Sequence, residues 1–228
     1  MKVFSFTDKG GRKQNQDCIT YADISEKVSA YVLADGMGGY QFGNVAAKVV
    51  SDAIIGYVSS HYADKSPGRL LQEAFIYANG ALKGVRSEYS DVQMGAVAVA
   101  AIVSSDSVSI AWLGDARAYV MEGRNTIFVT EDHSMINELK KAGTYKQSDY
   151  AKYSSCVSKC LMGDDEQVLA SVSEIPLAEG FKVVLCSDGI HKEMDVESLP
   201  MDDDELRTQL NNLAPSMADN LSIIRITL

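Results

Sequence analysis

Four aspartates in this chain stand where an apolar run stops or starts. Asp35 ends VLAD, Asp115 follows AWLG, Asp188 ends VVLCSD, and Asp219 comes just before LSIIRITL. Three of them have a glycine neighbour: Gly36, Gly114 and Gly189. Carboxylates gathered at strand ends would repel one another, a cost that cations normally meet. Hard oxygen ligands of this kind suit Mg²⁺ or Mn²⁺, so the pattern points to a site for more than one metal. Any one of them alone would read as a turn aspartate, since Asp is favoured in turns. Gly36 extends the case, because a cation on Asp35 could also take a backbone carbonyl that no side chain crowds.

Elements that could hold these residues follow from the apolar periodicity. Strands are expected at 3–7, 18–21 and 28–34, then helices over 43–62 and 67–87 with one apolar face each. Short strands at 96–103, 108–113, 116–121 and 127–130 follow, with Gly114-Asp115 and Glu122-Gly123 as turn signals, and they read as a meander. A helix is expected over 132–142, a polar mobile loop over 143–153, strands at 168–173 and 181–187, a helix over 203–213, and a closing strand in LSIIRITL. Asp202, Asp203 and Asp204 read as an acidic helix start that complements the dipole. Strands come in blocks rather than alternating with helices, which favours an α+β layering over a doubly wound sheet.

Composition excludes several classes. With 228 residues and 46% hydrophobic content, the chain can pack one core, and no linker or repeat divides it, so a single domain over 1–228 is expected. The net charge of −10 opposes a nucleic-acid grip, which needs a basic surface. No apolar run reaches the roughly 18 residues of a membrane span. Cys18, Cys156, Cys160 and Cys186 contain no C-x-x-C pair, and MKVFSFTDKG lacks a signal-peptide core, so a cytoplasmic protein with free thiols is expected.

The segments GRKQNQD, ADGMGG, MGAVAVA, WLGDARAYV, TEDHS, LCSDGI and DNLSIIRI, in this order, resemble the bacterial type 2C metal-dependent serine/threonine protein phosphatases across nearly the whole chain. The resemblance implies an α-β-β-α sandwich, two antiparallel sheets flanked by helices, and an activity towards phosphoserine and phosphothreonine in proteins. It implies that Asp35 bridges two Mn²⁺ or Mg²⁺ ions, with the Gly36 carbonyl on one and Asp188 and Asp219 on the other. Asp115, together with Asp188, would hold a third and weaker metal. Arg12 would grip the substrate phosphate and Asp17 would hold metal-bound waters, while the loop at 143–153 would be a flap shaping substrate access. Partners implied are phosphoproteins made by a serine/threonine kinase in a signalling role, and a monomer is expected.

The chemistry is coherent. Two metals about 3.5–4 Å apart can share a water and lower its pKa, giving a hydroxide that attacks phosphorus directly. Arg12 offers a planar fork of donors to the phosphoryl oxygens, which lysine would match less well. A cysteine phosphatase would need arginine six residues after its thiol, and those positions hold Ile24, Met162, Glu166 and Lys192. His61, His133 and His191 are scattered without metal motifs, so each is expected to be structural or at the surface.

Departures from the family pattern also matter. Gln16 stands where many members have glutamate, and Met37 where many eukaryotic members have a histidine proposed as general acid. The flap lacks the usual His-Pro pair near Lys152 and Tyr153. The second class of function is a pseudophosphatase that binds phosphoproteins without turnover; its signature, lost metal ligands, is missing.

Overall fold

In the computed structural model the described residues are 1–37, 42–90, 92–164 and 168–228, so Gly38 and Gly39 of ADGMGG, and Glu166, fall outside the description. One sheet runs in the order β1 (Lys2–Asp8), β10 (Leu221–Thr227), β9 (Phe181–Cys186), β6 (Arg117–Glu122) and β7 (Asn125–Val129). The other runs β2 (Asp17–Ser25), β3 (Val28–Gly36), β4 (Ala96–Val103), β5 (Ser107–Leu113) and β8 (Ser171–Pro176). Every named pairing is antiparallel.

Unbroken apolar runs in β3 and β4 have a direct cause: both faces of these strands are covered. Ala30, Val32 and Ala34, with Ala96, Ala98 and Ala100, pack against helices α1 (Gly43–His61) and α2 (Pro67–Glu88). Tyr31, Leu33, Val97 and Val99 alternate with them and meet Ala118, Val120, Val183 and Ile224 of the other sheet. Each buried Val or Leu contributes roughly 1.5–3 kcal/mol, so this double layer dominates the core. Alanine in β4 and at Ala46 and Ala47 lets α1 lie close to the sheet, which is where the residues of MGAVAVA go. On the far side, Phe4, Phe6 and Val184 pack against Leu206 and Leu210 of the last helix, Asp203–Leu213. Asp202 caps that helix by accepting from the N–H groups of Asp204 at 2.9 Å and Glu205 at 3.0 Å, the arrangement expected of the acidic run.

The expected meander is instead two hairpins in different sheets. β4 and β5 pair in one, β6 and β7 in the other, and the chain crosses between them at Gly114-Asp115. Gly114 takes φ of +106°, and a Cβ there would lie 2.1 Å from Val97 Cγ1, so the crossing requires glycine. Periodicity along one chain segment carries no information about which sheet a strand joins.

Two further expectations shift. The helix expected at 132 starts as α3 (Met135–Lys141), because Ser134 is its cap and accepts from Asn137 N–H. The expected loop at 143–153 contains a helix of its own, α4 (Gln147–Tyr153), started by Asp149 accepting from Lys146 N–H at 2.8 Å. None of its residues is buried, which explains why no apolar stripe announced it. The strand expected at 168–173 pairs only from Ser171, since Val168 and Ala170 first pack into the helix-side core.

Candidate metal centre

Antiparallel pairing brings one end of each sheet together, and the predicted residues collect there. Asp35 ends β3, Asp115 follows β5, Asp188 follows β9 in the short helix α5 (Asp188–His191), and Asp219 precedes β10. Arg12, Asp35, Gly36, Asp115, Asp188 and Asp219 all line one cleft of about 340 Å³. Asp17 lies beneath it, directly opposite Asp35 in the β2–β3 register. Two aspartates facing each other across a strand pair repel, so sequence selection for this pairing needs a compensating charge.

Electrostatics follow from that crowding. Burial, then the charges of Asp17, Asp188, Asp115 and Asp219, hold the Asp35 carboxyl well above the usual carboxylate range. Asp17 is pushed up to about 6, by burial first and by Asp188, against hydrogen bonds from Ser222 and Ser187. Its Oδ2 accepts from Ser187 Oγ at 2.9 Å, while its buried Oδ1 has no partner among the described residues. Burial also raises Asp115, a shift that the nearby Lys192 opposes.

An orphaned carboxylate oxygen beside four more carboxylates is a donor set suited to hard divalent cations. No ready-made cage exists, however: among the described residues no three acidic, histidine or cysteine side chains are already grouped to hold an ion. Basic side chains hold three of the carboxylates. Arg12 Nη2 donates to Asp219 Oδ2 at 2.6 Å, and Lys192 Nζ donates to Asp188 Oδ2 at 2.8 Å and Asp115 Oδ2 at 3.1 Å. The residues fit a metal by chemistry and convergence: a cation would draw Asp219 from Arg12, while Asp188 keeps a second oxygen beside the one that Lys192 holds.

Residues without an assigned role in the sequence do much of the positioning. Asn220 accepts from Gln16 N–H at 2.8 Å and donates to the carbonyls of Lys9 at 2.8 Å and Gln14 at 3.0 Å, which staples the loop carrying Arg12 beside Asp219. Ser187 Oγ also accepts from Ser222 N–H at 3.0 Å, joining β9, β10 and Asp17. Gly36 is glycine for a reason other than an open carbonyl. A Cβ there would lie 2.2 Å from the Gly43 carbonyl, so β3 and the start of α1 could not approach.

His133, buried, and His191, half-buried, grip the crossing. His133 Nδ1 accepts from Gly114 N–H at 3.2 Å, and its Nε2–H donates to Ser171 Oγ at 2.9 Å. His191 Nε2–H donates to the Asp115 carbonyl at 2.8 Å. Burial lowers both, His133 to about 4, so as neutral rings His133 holds Gly114 and His191 holds Asp115. His61 only donates to the Tyr57 carbonyl on its own helix, at 2.9 Å. Met37 lines the cleft and offers no proton.

The shifts give a testable pH dependence. An acid raised by folding is protonated below its folded pKa; Asp35 must ionise to ligate and Asp17, raised to about 6, must ionise to accept from metal-bound water, so cation binding strengthens as pH rises. The histidines, lowered by burial, also favour the folded state more as pH rises, so the comparison at each pH is between samples with and without cation. The rise in Tm caused by a fixed Mn²⁺ concentration should therefore be small at pH 5 and grow towards pH 7. Affinity should gain about tenfold per pH unit for each proton released. Calorimetric melts that show the same Mn²⁺-induced rise at both pH values would contradict the shared burial of Asp17 and Asp35.

Residues 10–222 match the protein phosphatase 2C family. A serine/threonine phosphatase from Listeria innocua is 28% identical over 197 residues, covering 81% of this chain and 75% of that protein. The crystal structure of the serine/threonine phosphatase Stp1 from Staphylococcus aureus superposes with a TM-score of 0.83 at 27% identity, covering 100% of this chain and 94% of its own. The catalytic domain of the phosphatase PstP, solved with two manganese ions, shares the fold with a TM-score of 0.76 at 22% identity, covering 98% and 96%.

Proposed function

The chain belongs to the protein phosphatase 2C family, a family of hydrolases, and from that premise we propose that it hydrolyses phosphoserine and phosphothreonine in proteins with divalent cations held in the cleft. The observation that carries the reading is the convergence of Asp35, Asp188 and Asp219 on one cleft with Arg12 at its side. Two Mn²⁺ or Mg²⁺ ions are the proposed complement, as two manganese ions were found in PstP. Asp35, the Gly36 carbonyl, Asp188 and Asp219 would hold them, with Asp35 at the centre of the set. When bound, such a pair would supply a water of lowered pKa as nucleophile.

The chain's own residues have separate tasks. Asp17, fixed by Ser187, would orient water through its unpartnered oxygen. Arg12 is exposed at the side of the cleft, and its guanidinium would stabilise charge on the phosphoryl oxygens as they leave the ester geometry. Neither Met37 nor a neutral buried histidine is placed to protonate the leaving group, so water or the substrate's surroundings would do so. Phosphoproteins made by a serine/threonine kinase are the proposed substrates, and a single-domain monomer in the cytoplasm is the proposed form. Among the described residues no helix is long and apolar enough to cross a membrane.

We assign the flap to the α3–α4 segment. Ser155 and Val157 line the cleft, and Tyr150 and Ser154 line an adjoining groove of about 570 Å³. Its base is anchored where Met135 N–H donates to the Cys156 carbonyl at 2.9 Å and Ser158 N–H to the His133 carbonyl at 2.8 Å. Beyond that base α4 buries nothing, so its amides should exchange with deuterium orders of magnitude faster than those of β4. Protection over 143–153 equal to that of β4 would remove the flap.

A phosphothreonine peptide assay tests the function itself. Phosphate release should depend on added Mn²⁺ or Mg²⁺ and stop with chelator. Tight peptide binding without release would favour the pseudophosphatase instead.

A further inference from the structure

The two carboxylates that the family resemblance gives to a third cation are already bridged by a side chain of the protein. Lys192 follows α5 one turn after Asp188, so its side chain returns along the same face. Its Nζ lies 2.8 Å from Asp188 Oδ2 and 3.1 Å from Asp115 Oδ2. Asp115 cannot turn away easily, because its side chain is only 12% exposed and His191 holds its carbonyl.

We infer that the Lys192 ammonium replaces the third cation, leaving a centre built for two metals. An ammonium and a divalent ion compete for the same carboxylate oxygens, and a divalent ion of this type needs about six oxygen ligands. Water can fill most of those positions, but an ion there would still have to share both aspartates with the ammonium and sit beside its charge. Charge balance points the same way. Among the described residues Asp17, Asp35, Asp115, Asp188 and Asp219 oppose only Arg12 and Lys192 in the centre, and the remaining negative charge is already exceeded by two divalent cations. A third would add positive charge next to a fixed ammonium. Arg12 differs in the number of its bonds, not in exposure: it reaches one carboxylate, so it can yield Asp219 to a metal, whereas Lys192, 39% exposed against 46%, holds two. Lys192 joins two carboxylates at once and is tethered, so neither dilution nor chelator removes it. It acts as a positioning residue that fixes the spacing of Asp115 and Asp188.

This inference rests on the two-cation reading above, and Mn²⁺ stoichiometry by equilibrium dialysis tests the two separately. The absolute count for the unaltered protein reads the two-cation proposal. The difference in count between Lys192→Asp and the unaltered protein reads the lysine. Lys192→Asp should bind one more Mn²⁺ than the unaltered protein, and the double variant Lys192→Asp/Asp115→Asn should lose it again. Asp115→Asn alone should leave the count unchanged, and this arm stands even if Lys192→Asp fails to fold. Equal counts for folded Lys192→Asp and the unaltered protein would overturn the inference. So would loss of one Mn²⁺ in Asp115→Asn.

Discussion

Asp35→Asn should leave less than roughly 1% of turnover on a phosphothreonine peptide, a loss of about 2.7 kcal/mol or more at 1.36 kcal/mol per factor of ten. The reason lies in position more than in charge count. Asp35 is buried opposite Asp17 in the strand register and lines the cleft with Asp115, Asp188 and Asp219, whose charges raise its carboxyl. Replacing it with an amide keeps the shape and removes the anion that a bridge between two cations requires. Asp188→Asn should come close to the same loss, with the complication that it also releases one arm of Lys192. Both variants should stay folded, because neither carboxylate supports the core and repulsion falls when one is neutralised. Steady-state kinetics beside a melting curve would check this. More than a few per cent of activity in both folded variants would sink the dinuclear reading.

Asp35, Asp115, Asp188 and Asp219 were legible as a group because each interrupts an apolar run, and runs such as VLAD and VVLCSD are buried on both faces. A strand covered on both sides has nowhere for a carboxylate except its end. That reasoning extends from sequence to site without knowing the sheet order. It fails where the answer depends on which elements meet. The change of sheet at Gly114 depends on Val97 from another strand, and the part played by Asn220 depends on a loop some two hundred residues earlier in the chain. Lys192 was visible four residues after Asp188, a spacing that pairs side chains on one helical turn. Its hold on Asp115 was not visible, because that contact spans both sheets. Helix α4 escaped because a helix lying on the surface with no buried residue has no stripe to read. The family motifs located Arg12, but the reason its loop lies beside Asp219 is the Asn220 staple together with Gly11 N–H donating to the Met217 carbonyl at 2.8 Å.

Because that loop is held by backbone and by Asn220, Arg12→Ala should remove a guanidinium and little else. Its Nη2 gives its hydrogen bond to Asp219, so the variant frees a carboxylate, and Mn²⁺ affinity should stay constant or rise. Substrate use should suffer. A charged hydrogen bond to a phosphoryl oxygen contributes roughly 1.5–3 kcal/mol, which predicts about a ten- to 150-fold fall in kcat/KM. If the contact strengthens only as charge develops, kcat carries the loss; if it grips the ground state equally, KM does. Arg12→Lys should recover part of it, since an ammonium keeps the charge and loses the planar fork. The alternative is that Arg12 serves only to neutralise Asp219. That role predicts tighter metal binding with unchanged kcat/KM on p-nitrophenyl phosphate, a small substrate that isolates the phosphoryl group from any protein surface. Kinetics and Mn²⁺ titration on the same Arg12→Ala preparation therefore separate a residue that holds substrate from one that merely balances charge.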